Sequence, residues 1–131
     1  MARILLDTSA LLCHYFDEPG AARVDELLAG DEVMVSAPSE FEFIVVACSR
    51  GAKSSDAMAA FSDYADLMVG VVPITSAVAR RALGLRLATG SRIPTVDCLI
   101  AGAAAESECR LVHKDRHFST IPAELLEQEV L

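Results

Sequence analysis

With 131 residues, 53% of them hydrophobic and 23% charged, the chain can close a core without disulfide or zinc staples and is too apolar to be disordered. Its net charge of −8 excludes a protein that grips nucleic acid through a broad basic face. An enzyme that acts on nucleic acid at one local site stays open, because bound cations offset clustered acids there.

In chain order, Arg3–Leu6 has the length and apolarity of a buried strand, and Ser9–Phe16 reads as a helix closed by the turn Asp17-Glu18-Pro19-Gly20. Val24, Leu27 and Leu28 fall at helical spacing in Ala21–Leu28, with Gly30 as a stop. Val33–Val35 is a second strand. Ser36 is a candidate N-cap, with Pro38 in the first turn, for a helix to about Arg50 that Gly51 terminates. Ser54 or Ser55 is expected to cap a helix to about Met68. Gly70–Ile74 reads as a third strand, and Thr75 or Ser76 caps a helix through Leu87 that ends at Thr89-Gly90. Pro94-Thr95 opens a helix to about Glu106, with Thr95 as the N-cap. Arg110–Val112 is a fourth strand and Gln128–Leu131 a short last one.

Strands alternate with helices, so the expected fold is α/β, with a mainly parallel central sheet of four to five strands flanked by helices. One domain over residues 1–131 is expected. No apolar run reaches the ~20 residues of a bilayer span. Ile4-Leu5-Leu6 meets Asp7 too early for a signal-peptide core, so a cytoplasmic location without membrane contact is expected. Cys13, Cys48, Cys98 and Cys109 show no metal or redox spacing and read as reduced, packed thiols.

Ligands of such sheets bind outside the carboxyl ends of the strands, which directs attention to the residues there. Asp7 follows Ile4-Leu5-Leu6 and reads in two ways, as a helix cap or as a carboxylate at the mouth of the sheet. Glu42 is one charge in the apolar run Phe41–Cys48 and must reach solvent, a partner or a metal. Glu40, in the first turn of that helix, suits the helix dipole and is assigned a structural role. Asp97 lies in the first turn of a helix that continues as Cys98-Leu99-Ile100-Ala101-Gly102-Ala103-Ala104-Ala105, small and apolar enough to pack closely on the sheet. Asp115 follows the strand Arg110–Val112. Singly, each has an ordinary explanation as a cap, a wet helix edge, a dipole partner or a loop acid. Together, all four can converge on one edge of one sheet, where they could not stay ionised without cations. Oxygen donors select Mg2+ or Mn2+ over zinc, and such ions activate water against a phosphodiester.

Four motifs in order resemble those of the PIN-domain family: Leu5-Leu6-Asp7-Thr8-Ser9-Ala10-Leu11, Val35-Ser36-Ala37-Pro38 with Glu42, Pro94-Thr95-Val96-Asp97-Cys98-Leu99-Ile100-Ala101, and Leu111-Val112-His113-Lys114-Asp115-Arg116-His117-Phe118. The likeness spans nearly the whole chain. Each motif is modest alone, and the ordered set is fairly specific. The compact length is similar to VapC toxins of VapBC toxin–antitoxin pairs. This resemblance implies a Mg2+- or Mn2+-dependent endoribonuclease acting on tRNA or rRNA, a homodimer, and inhibition by a VapB-type antitoxin. It assigns catalysis and metal ligation to Asp7, Glu42, Asp97 and Asp115, with Thr8 and Ser9 as accessory hydroxyls. Relatives commonly carry an acid where this chain has His117, which can serve Mn2+ better than Mg2+. The basic candidates for RNA contact are Arg80, Arg81, Arg86, Arg92, Lys114 and Arg116, against solvated helix charge as the plain reading. Tyr15, Phe16 and Tyr64 could stack on bases, although scattered aromatics more often belong to a core.

Three rivals are weighed. A haloacid-dehalogenase-type phosphoryl transferase also places Asp after its first strand, but it needs a second Asp where Ser9 stands. A PIN nuclease could process RNA without an antitoxin. A catalytically weak RNA- or metal-binding module on the same fold takes its support from His117.

Overall fold

The computed structural model describes residues 2–90 and 92–131. Its sheet comprises β1 (Arg3–Leu6), β2 (Glu32–Ser36), β3 (Gly70–Val72), β4 (Arg110–His113) and β5 (Gln128–Val130), in the order β3-β2-β1-β4-β5, with every pairing parallel. The expected α/β class holds, and five strands form the sheet where four to five were expected.

Parallel strands need crossovers, and the crossovers cover both faces of the sheet. Alternation along the strands supplies the two surfaces. Ile4, Leu6, Val33, Val35 and Val112 join one core with α1 (Thr8–Tyr15), α2 (Ala21–Gly30), α3 (Ala37–Ser49) and α4 (Ser54–Asp66). Leu5 and Leu111 join the other with α5 (Ser76–Ala88) and α6 (Thr95–Glu106). Burial on both sides explains why Ile4-Leu5-Leu6 is apolar without a break.

The helix boundaries expose two errors in the capping assignments. Ala57 N–H donates to the Lys53 carbonyl, so Lys53 is the N-cap and Ser54 and Ser55 already lie inside α4. Cys98 N–H donates to the Pro94 carbonyl, which makes Pro94 the N-cap of α6 and moves Thr95 into the helix. Ser36 is the N-cap of α3, but its hydroxyl makes no capping bond and lies 3.3 Å from Ser39 Oγ. Thr75 does cap, accepting from Val78 N–H at 3.2 Å. β3 stops at Val72, short of Ile74, because Pro73 has no N–H for the ladder. All four cysteines are free thiols, three of them buried, as expected of packed residues.

The pairing of α5 with α6 depends on Gly102. A Cβ there would lie 2.8 Å from Ala82 Cβ and 2.9 Å from both Ala82 N and the Val78 carbonyl oxygen. Backbone atoms cannot yield as a side chain can, so Gly102→Ala must push the helices apart and is expected to cost about 1–3 kcal/mol. A methyl group added at Gly84 on α5 would meet nothing within 4 Å, so Gly84→Ala is expected to stabilise by about 0.5–1 kcal/mol through helix propensity. Urea unfolding of the two variants should therefore move in opposite directions.

β1 lies at the centre of the sheet, with the chain passing to β2 on one side and β4 on the other. That reversal opens a crevice beyond the carboxyl ends of β1 and β4. Asp7, Lys114 and Asp115 all lie there.

Candidate active site

Asp7 N–H donates to the Val112 carbonyl at 2.9 Å, extending the β1–β4 ladder by one residue before α1 begins. Its Oδ2 accepts from Ser9 N–H at 3.0 Å and from Ser9 Oγ at 2.5 Å. The cap and the carboxylate at the sheet mouth are thus one residue, divided between its two oxygens. Oδ1 is buried and has no hydrogen-bond partner among the described residues, in a residue only 3% exposed. Burial raises the carboxyl to about 7. The two Ser9 hydrogen bonds oppose that shift, while Asp97 and Glu42 add to it.

Ser9 Oγ also accepts from Lys114 N–H at 2.9 Å and so ties the loop after β4 to the start of α1. Thr8 Oγ1 lies 2.7 Å from Glu42 Oε1 and 2.9 Å from Ser39 Oγ. Thr8 is the donor in both contacts, and because a hydroxyl carries one proton it serves Glu42 or Ser39 one at a time, with Ser36 Oγ 3.3 Å from Ser39 Oγ. The three hydroxyl residues are buried. Glu42 is held from below by this chain, and burial raises its carboxyl while the Thr8 hydrogen bond opposes the rise. Sequence reasoning missed Ser39. The available signal was its place three residues before Glu42, on the same face of one helix.

Asp97 occupies the first turn of α6, and its Oδ2 lies 3.0 Å from His117 Nδ1. Burial raises its carboxyl, as does the neighbouring Asp115 charge, with His117 acting against both. Asp115 Oδ1 caps the 3-10 turn Arg116–Thr120 by accepting from His117 N–H at 3.0 Å, and lies 3.1 Å from His117 Nδ1. His113, unassigned in the sequence, is a buried support. Its Nδ1 accepts from Asp115 N–H, which leaves Nε2–H to donate to Gln128 Oε1 at 2.9 Å. Gln128 Nε2 in turn donates to the Phe118 carbonyl.

Asp7, Thr8, Ser9, Glu42, Asp97 and Asp115 share one open cleft of about 160 Å3, with Leu12 and Val46 as its apolar wall. A divalent cation fits this donor set. Carboxylate oxygens are hard ligands, three of the acids are raised by burial or by one another, and Asp7 Oδ1 has no other partner among the described residues.

The PIN-domain family model matches residues 4–124. The chain belongs to the PIN-domain family. A search of curated proteins finds no match. Among solved structures, VapBC2 from Rickettsia felis bound to a promoter DNA fragment is similar at 18% identity and TM-score 0.79, covering 98% of each chain. DNA-bound VapBC from Salmonella typhimurium is similar at 18% identity and TM-score 0.78, covering 99% of this chain and 98% of that one. The sarcin–ricin-loop-cleaving toxin VapC20 of Mycobacterium tuberculosis is similar at 20% identity and TM-score 0.69, over 88% and 92% of the two chains. These likenesses are of fold.

On this PIN fold the basic residues disperse. Arg81 pairs with Glu106 at 3.0 Å and, with Arg80, lines a separate groove of about 580 Å3 along α5. Nine residues of α6 separate Glu106 from Asp97, about 14 Å of helix. Arg86 donates to the Ile93 carbonyl at 2.8 Å, and Arg92 is exposed. Lys114 Nζ is committed to the Pro19 carbonyl and to Glu18. Arg116, exposed beside Asp115, has no ion-pair partner among the described residues. Tyr15 and Tyr64 pack edge-on against Phe43, and Phe16 lies under Arg50, so these aromatics serve the fold. No helix among the described residues is long and apolar enough to cross a membrane.

Proposed function

We propose that this PIN domain is a metal-dependent endoribonuclease, the toxin component of a VapBC-type pair, that hydrolyses RNA phosphodiester bonds. The observation that carries this reading is the buried Asp7 carboxylate, with Oδ1 orphaned in the cleft that also holds Glu42, Asp97 and Asp115. Asp7, Asp97 and Asp115 would hold Mg2+ or Mn2+, with Glu42 completing the set. A divalent cation bound there would supply Lewis acidity, lowering the pKa of a bound water and stabilising charge on the phosphodiester.

The chain's own groups favour attack by water over a covalent intermediate. Ser9 Oγ is engaged by Asp7 and Lys114, and Thr8 Oγ1 by Glu42 and Ser39, so neither hydroxyl is a free nucleophile. Glu42, fixed by Thr8, is positioned to accept the water's proton. Arg116 is the basic residue best placed to meet a phosphate, one position beyond Asp115. A local contact of this kind is compatible with the net charge of −8. Structured RNA of the tRNA or rRNA class is the proposed substrate, by analogy with VapC20, which is described as cleaving the sarcin–ricin loop.

A VapB-type antitoxin and a second copy are the proposed protein partners. Exposed apolar pairs one helical turn apart, Phe41 and Val45 on α3 and Leu83 and Leu87 on α5, are surfaces that such partners would cover. The test is incubation of purified, partner-free protein with total RNA in Mg2+, Mn2+ or EDTA. Discrete fragments that need metal are expected. Intact RNA in every metal condition would favour a binding module.

A further inference from the structure

His117 stands where the resemblance leads one to expect an acid, and its ring lies between two carboxylates of the cleft. Nδ1 is 3.0 Å from Asp97 Oδ2 and 3.1 Å from Asp115 Oδ1, and ligand atoms from the three residues all lie within 4.8 Å of one another. Neighbouring vertices of an octahedron with bonds of about 2.1 Å are about 3.0 Å apart. Both short edges of this triangle match that spacing, and the third is within 4.8 Å. The orphaned Asp7 Oδ1, in the same cleft and buried, is an independent sign that the acids face a positive charge.

We propose that Asp97, Asp115 and His117 form a mixed carboxylate–imidazole position that binds Mn2+, or a later first-row divalent cation, in preference to Mg2+. The inference rests on the metal-dependent reading above and adds the identity of the ion. Mg2+ demands oxygen and sheds its waters reluctantly, whereas imidazole nitrogen suits transition-metal ions. The backbone that carries the ring is held from two directions. Its own backbone N–H is fixed on Asp115 Oδ1. The following residue, Phe118, is buried and lies 4.8 Å from the His113 ring, and its carbonyl is gripped by Gln128. A side chain carried on a fixed backbone loses less freedom on binding an ion. His113 is not a competing ligand, because both of its ring nitrogens are already engaged.

The test uses the whole chain, stripped of metal and loaded with one equivalent of Mn2+. Electron spin echo modulation reports nitrogen bound directly to Mn2+. Wild type is expected to show 14N modulation and His117→Asp to lack it. Displacement of bound Mn2+ by Mg2+, followed in the same spectrum, should give an Mn2+-over-Mg2+ preference at least about tenfold smaller in His117→Asp. His117 is exposed, so both His117→Asp and His117→Ala should fold, and circular dichroism checks that they do. Bound Mn2+ without nitrogen modulation in wild type, or modulation that persists in both variants, overturns the inference and leaves the nuclease reading standing. Failure of wild type to bind Mn2+ at all overturns both.

Discussion

Asp97→Asn is expected to lower metal-dependent RNA cleavage by about 10³-fold in kcat/KM, a loss of ~4 kcal/mol of transition-state stabilisation, and Asp7→Asn to do the same. Each substitution keeps the shape of the side chain and removes one negative charge from the cleft. An amide is a weaker ligand for a hard cation than a carboxylate, and the loss is felt most where charge develops on the phosphodiester. Neither change should unfold the protein. Asp97 contacts His117 through a single oxygen, and Asn at position 7 can still accept from Ser9 N–H.

Glu106→Gln is the matched control. It removes a carboxylate from the same helix as Asp97, about 14 Å away and paired with Arg81. Its rate should stay within about twofold of wild type. A rate loss in Glu106→Gln equal to that in Asp97→Asn would mean that general charge governs the activity, and the assignment of the cleft would fail. Unchanged cleavage in both Asp variants would point to a contaminating nuclease.

The parts of this site that were legible in the sequence are those where chemistry conflicts with surroundings. Glu42 in an apolar helix and Asp7 after an apolar strand stand out because burying a carboxylate is costly. The strand–helix alternation predicts a parallel sheet, and the sheet predicts where its ligands bind. The capping errors have a common origin. Ser and Thr cap well, but the helix starts at whichever carbonyl accepts the first bond, and the tertiary path chose Lys53 and Pro94. The hydroxyl chain from Ser36 through Ser39 and Thr8 to Glu42 was legible only in part. Its members lie in two segments that become neighbours through the crossover between β1 and β2. The basic cluster shows the reverse. Arg80, Arg81, Arg86 and Arg92 are close in sequence, yet Arg80 and Arg81 line a groove away from the acids, Arg81 is neutralised by Glu106, and Arg86 is spent on the Ile93 carbonyl.

The same Asp7→Asn variant should be more stable than wild type when no metal is present. A carboxyl that titrates near 7 in the folded chain and near 3.8 in the unfolded chain holds its proton more tightly when folded. Its contribution is therefore fully present below about pH 3.8 and is lost as pH rises toward 7. A gap of about three pH units at 1.36 kcal/mol each sets a ceiling of about 4 kcal/mol on that loss. Asn is neutral at every pH and avoids it. In EDTA at pH 7.5, the melting temperature of Asp7→Asn should exceed that of wild type by on the order of 10 °C, and at pH 4.5 the difference should largely disappear. Saturating Mn2+ should narrow the gap at pH 7.5. Cation at 100 times its Kd stabilises wild type by about 2.7 kcal/mol, while the variant, with a weakened site, gains less. The buried charge that makes the apoprotein fragile is thus the one that binds the ion, a trade of stability for function. An Asp7→Asn protein less stable than wild type in EDTA at pH 7.5 would mean that Oδ1 has a partner in solution and that the carboxylate is satisfied without a cation. Equal stabilisation of both proteins by Mn2+ would remove Asp7 from the set of ligands.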